Sequence, residues 1–102
     1  MIMFDNRRIA SKGVMNLVPI HIQAFLWGLI DDMQVSKKDY FQVFELSHEK
    51  FKGTYQLKIT HIQEQPLYRK THIVKNDETY FSGKIFVIDD KTHSTMILPR
   101  ER

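Results

Sequence analysis

Residues 84–98, KIFVIDDKTHSTMIL, constrain the fold more than any other part of this chain. Ile85, Phe86, Val87 and Ile88 form an unbroken apolar run, a polar turn follows, and Met96, Ile97 and Leu98 return as a second run. Strict alternation would mark a strand with one wet face. An unbroken β-branched and aromatic run instead predicts a strand covered on both faces, hence one near the centre of a sheet. The rest of the chain then has to supply strands beside it and a layer over it.

The layer is legible. Pro19 suits a first helical position, where a missing N–H costs nothing. Apolar residues follow at Ile22, Phe25, Leu26, Leu29, Ile30 and Met33, at spacings of three, one, three, one and three. That period predicts an amphipathic helix of about four turns packed on the sheet. Asp31 and Asp32 oppose the macrodipole at its end, which points to solvent there.

Strand signals occupy the remainder. Residues 40–46 (YFQVFEL) are dense in aromatic and β-branched types, and a polar connection over 47–53 follows. In residues 54–62, Tyr55, Leu57 and Ile59 alternate with Gln56, Lys58 and Thr60, as in a half-buried strand. Turns at 63–66 and 76–78 bracket a more polar strand over 67–74, and Ser82-Gly83 breaks the chain before the central segment. Residues 1–15 read as an extended arm, an edge strand with a bend at Gly13. Strands succeed one another at hairpin distance. The expected architecture is α+β: a mainly antiparallel sheet of about five strands with one amphipathic helix packed on one face, a single domain over residues 1–102.

Composition excludes several classes. With 42% hydrophobic and 26% charged residues, a packed core is within reach and a disordered chain is not expected. There is no cysteine, so neither a disulfide framework nor a thiolate metal site can form, and a reducing cytoplasm is the expected compartment. Asp5, Arg7 and Arg8 interrupt the stretch a signal peptide would need, and no segment approaches the roughly 18 apolar residues of a membrane span. The net charge of +3 implies nucleic acid only if the cations share one face.

Three stretches could carry function. The turn over 89–94 gathers Asp89, Asp90 and His93, which suit acid–base or divalent-ion chemistry, but the same residues close a hairpin turn by bonding nearby N–H groups. Catalysis needs groups converging from separate elements, so the turn reading is preferred. The five histidines (His21, His48, His61, His72, His93) show no zincin spacing. No metal site, cofactor or catalytic residue is assigned.

The second stretch is the far side of the helix, where Ile20, Ala24 and Trp27 fall opposite the core stripe. An exposed Trp with an Ile beside it would suit a partner protein or a second copy of the chain, whereas an N-terminal arm folded over it would complete the core instead. The third stretch is the basic strand with Arg69 and Lys70, with Arg7 and Arg8 as company. Cations interleaved with aromatics bind single-stranded nucleic acid, yet Arg69 and Lys70 point to opposite faces, as on a protected edge strand.

MFDNRR (residues 3–8), FLWGLID (25–31), YFQVFEL (40–46), QEQP followed by Tyr68, KIFVIDD (84–90) and HSTMIL (93–98) together resemble an uncharacterised family of low-GC Gram-positive bacteria and their phages, catalogued as domain of unknown function 960. The resemblance spans nearly the whole chain. It implies a cytoplasmic single domain and lends no catalytic residues. The expected function is therefore a small cytoplasmic accessory protein, more an interaction module than an enzyme, contacting a protein partner or itself through Ile20, Ala24 and Trp27, with no membrane association. A single-stranded nucleic-acid contact module (Arg7, Arg8, Arg69, Lys70) is the alternative, and a metal-assisted hydrolase the remote one.

Overall fold

The computed structural model describes residues 2–102; Met1, the first residue of the arm expected to be extended, lies outside them. Six strands build one sheet: β1 (Arg7–Ala10), β2 (Phe41–Phe51), β3 (Thr54–Gln63), β4 (Tyr68–Lys75), β5 (Gly83–Asp89) and β6 (His93–Ile97). Their order is β1-β6-β5-β2-β3-β4. Four of the five pairings are antiparallel, and β1 runs parallel to β6. The sheet is thus mixed and has six strands, where about five mainly antiparallel ones were expected. The parallel pair arises because β1 precedes the helices. The helical crossover carries the chain from β1 at the edge to β2 inside the sheet, parallel to it, and β6, two antiparallel pairings from β2 through β5, shares that direction.

Two helices form the crossover, α1 (Lys12–Leu17) and α2 (Ile20–Asp31), and a short 3-10 turn (Pro99–Glu101) follows β6. The arm expected to be extended through residue 15 therefore turns helical at Lys12. Ser11 starts α1 by accepting a hydrogen bond from the Val14 N–H at 3.2 Å. A six-residue helix is too short to show a period, which is why the sequence hid it. Gly13 is no bend. A Cβ there would lie 2.7 Å from Glu101 Oε2 and 2.8 Å from Leu98 Cδ1, so glycine permits close approach of the C-terminal turn.

The long helix lies where the period put it. Ile22, Leu26 and Ile30 are buried against Phe44, Leu46, Leu57, Ile59, Ile85, Val87 and Met96 from the four inner strands. Burying each such side chain contributes about 1.5–3 kcal/mol. Phe4, Val14 and Val18 close one end of this core. Strand β2 runs to Phe51, well past the expected connection at Ser47, and turns through Lys52 (φ 51°) and Gly53 (φ 80°). Two successive positive φ values are what a two-residue hairpin of matching twist requires. Beyond Leu46 the β2 side chains no longer alternate between buried and half-buried, so its strand signal is weak there in the sequence.

β5 is third of six, inside the sheet as the apolar run predicted. Only half of its covering comes from the described chain. Ile85 and Val87 are fully buried under the helices, whereas Phe86 and Ile88 face the other side and are half-buried by their neighbours alone.

Candidate functional site

On α2 the expected stripe divides. Ile20 is 77% exposed, and Ala24, one turn on, is exposed too. Trp27 is half-buried against the edge of the core, and the Arg8 guanidinium lies over its ring at 4.9 Å. Arg8 is fixed from three sides. It donates to the Phe4 carbonyl at 3.3 and 3.4 Å, pairs with both oxygens of Asp31, and stacks on the indole. The hydrogen bond from Arg8 holds the Asp31 carboxyl below its usual range, against a smaller opposing effect of burial. The N-terminal arm thus folds over Trp27, while Ile20 and Ala24 stay open. Met15 and Leu17, on α1 just ahead of this helix, are exposed as well. Met15 was missed because residues 1–15 read as extended, and Leu17 because it precedes the helix start expected at Pro19.

The four cations named for nucleic acid do not come together. Arg7 and Arg8 sit on β1 and Arg69 and Lys70 on β4, the two opposite edges of the sheet. Within each pair the side chains alternate between faces. Cations and aromatics do meet at the end of the β2–β3 hairpin. Lys50 Nζ lies 5.6 Å from the Tyr55 ring and Lys52 Nζ 5.4 Å from the Phe51 ring. His48 stacks between Tyr55 and Tyr80 at centroid distances of 5.0 and 4.5 Å. A shallow groove of about 440 Å³ beside them is lined by Phe51, Lys52, Ile73 and Lys75, among others.

The 89–94 turn uses its carboxylates on its own backbone and on the N-terminal arm. Asp89 is buried and accepts from Phe4 N at 2.7 Å, Asn6 Nδ2 at 3.0 Å and Lys91 N at 2.7 Å. Burial raises its pKa, but these three bonds outweigh that and leave it lowered. Asp90 accepts from Thr92 N and His93 N, at 3.0 and 2.9 Å, and lies 3.2 Å from His93 Nε2. Ser94 Oγ donates to Asn6 Oδ1 at 2.6 Å. The cluster clamps the N-terminal arm to the end of β5.

His61 belongs to a buried polar row on β2 and β3. Gln63 Oε1 accepts from Asp39 N and from Gln42 Nε2, both at 2.7 Å, and Gln63 Nε2 donates to Lys37 O and Pro66 O. Gln42 Nε2 also donates to Asp39 O, so Gln42 Oε1 is an acceptor and His61 Nε2 donates to it at 2.7 Å. The proton therefore sits on Nε2, and Nδ1 is a buried lone pair with no partner among the described residues. Burial, and then the neighbouring His72, lowers the His61 pKa to about 4. This row ties the α2–β2 connection to the sheet. Among the described residues no group of three or more His, Cys, Asp or Glu is arranged to hold a metal ion.

Residues 7–101 match the model of a family described as staphylococcal proteins of unknown function, DUF960. The chain belongs to the DUF960 family. The fold is also similar to the crystal structure of a protein of unknown function from Enterococcus faecalis. The likeness has a TM-score of 0.77 and 25% identity, and covers 96% of this chain and 92% of that one. No curated protein matches. This DUF960 chain contains, among its described residues, no helix long and apolar enough to cross a membrane.

Proposed function

We propose that this DUF960 chain is a non-catalytic cytoplasmic module, one domain over residues 1–102, that acts by contacting another protein. The observation that carries this reading is Ile20, 77% exposed at the start of a helix, with Ala24 open one turn further and Leu17 exposed just before it. Isolated exposed apolar residues are ordinary; Ile20 and Ala24, one turn apart, share a side of α2, and Leu17 lies exposed at the end of α1 just ahead of them. Burial of an isoleucine of this exposure recovers about 1.5–3 kcal/mol, an ample share for a weak complex. The cysteine-free composition supports the compartment.

Affinity capture from a lysate of the source cells, with and without nuclease, tests it. A protein retained regardless of nuclease and lost with Ile20→Ser or Ala24→Arg, at unchanged melting temperature, is the expected result. Retention of the same proteins by both variants would remove this surface from consideration.

The nucleic-acid reading survives at a different place. At the hairpin end Lys50 lies over Tyr55 on one face, and Lys52, Phe51 and Lys75 line the groove on the other, a pairing of cations with rings that single strands favour. Oligonucleotide retardation that weakens steeply with salt and with Phe51→Ala would support it; no retardation at low salt ends it.

A further inference from the structure

The face of the sheet away from the helices is apolar across its middle. Register places its outward side chains on two adjacent rungs: Ile88 beside Phe41, and Ile97, Phe86, Val43 and Ile62 in a line. Phe41 and Phe86 touch, with ring centroids 5.0 Å apart. The next rung is charged, with Lys84 on β5 opposite Glu45 on β2 and 3.7 Å between their ends. The sequence of β5 is that of a strand covered twice, and the described chain covers it once. The Arg102 guanidinium lies 4.6 Å over Phe41 at one end of the band.

The pattern is close to symmetric about the seam between β5 and β2, which is also the midline of the six strands. We propose that the sheet face bearing Phe41, Val43, Phe86 and Ile88 docks onto the same face of a second copy of this chain, about a two-fold axis running parallel to the strands along that seam. Such an axis sets Phe86 over the partner's Val43, Ile88 over the partner's Phe41 and Ile97 over the partner's Ile62. Lys84 then faces the partner's Glu45 while remaining beside its own, so four alternating charges surround the axis.

The geometry is that of aligned sheet-on-sheet packing, with faces about 10 Å apart and strands within about 30°. At roughly 4.8 Å between strands and 3.3 Å per residue, six strands and the rungs from Arg7 to Lys84 project on the order of 650 Å². Along its contours that approaches the roughly 800 Å² per partner of a stable dimer. A flat face fits a flat face, and an isologous contact needs the self-complementarity seen at this seam. The surface is distinct from the helical stripe proposed above, which such a dimer would present twice, on its two outer layers.

The charged rung supplies the test. Light scattering at tens of micromolar should give the wild-type chain twice its 12.2 kDa mass. Glu45→Lys puts four cations around the axis and Lys84→Glu four carboxylates, so each variant alone should weaken self-association at least tenfold. Mixed in equal amounts they restore opposite charges across the axis, and the doubled mass should return as a heterodimer. Both side chains are partly exposed, so the variants should remain folded, with circular dichroism as the check. A wild-type chain at single mass, variants that dimerise like wild type, or a mixture that stays monomeric would each overturn the proposal. None of these outcomes depends on whether Ile20 recruits a protein.

Discussion

His61 shows how one side chain can make the whole domain sensitive to pH. Its pKa is about 4 in the folded chain against an ordinary value of 6.5, so the unfolded chain binds more protons between those limits. The stability it protects is complete above pH 6.5 and lost progressively as pH falls to 4, by about 3 kcal/mol. Denaturant titrations from pH 7 to 4 should show this loss, and His61→Gln should flatten it. His72, lowered by burial and then by Lys70, adds in the same direction, whereas Asp31, Asp77 and Asp89, all lowered, lose their contribution only as pH falls below the carboxylate value of 3.8. Arg8 is the second residue with an outsized role, bridging the Phe4 carbonyl, Asp31 and the indole of Trp27. Because Asp31 is half exposed, its ion pair contributes little, and Arg8→Ala should cost about 1 kcal/mol, mostly stacking. The same change should shift Trp27 fluorescence to the red, because the ring's cover is gone.

Elements were legible in proportion to how regularly their neighbours are arranged. α2 packs a full row of side chains against one layer, so its period stands out, and β5 stands out by its unbroken apolar run. α1 could not be seen because its structure depends on Ser11, Gly13 and Glu101, the last of which lies 88 positions from Gly13. Glu101 accepts from Ser11 Oγ at 2.5 Å, from Gly13 N at 3.0 Å and from Leu98 N at 2.8 Å, and no local pattern encodes that convergence. Gly13→Ala should therefore lower the melting temperature by roughly 5 °C although alanine is the better helix former, because its Cβ pushes Glu101 and Leu98 aside. Asp89 and Asp90 were correctly recognised as unusual in the sequence. Their bonds to the turn itself were read there; what could not be read was the reach of Asp89 to Phe4 and Asn6. Asp89→Ala should cost about 2–4 kcal/mol, since it strands the Phe4 N–H inside, and hydrogen exchange across residues 4–10 should accelerate.

At the scale of the whole molecule, the helices occupy one side of the sheet, and the apolar residues left without full cover are exposed on the helical layer and half-buried on the open strand face. Sequence reasoning found Ile20 and Ala24 of the helical set, because a helix displays its two sides at different spacings, and missed Met15 and Leu17. It could not assign the strand-face set, because a run apolar on both sides of a strand does not say which molecule supplies the second cover. The parallel pairing of β1 with β6 has a consequence for synthesis. Arg7 lies beside His93 and Ala10 beside Met96, so the earliest strand has no seat until almost all of the chain has been made. The β2–β3–β4 meander, joined by short turns, is free to form while the arm ahead of it is still loose. Assembly from the ribosome therefore runs from the middle outward, and the first residues to emerge are among the last to find their place.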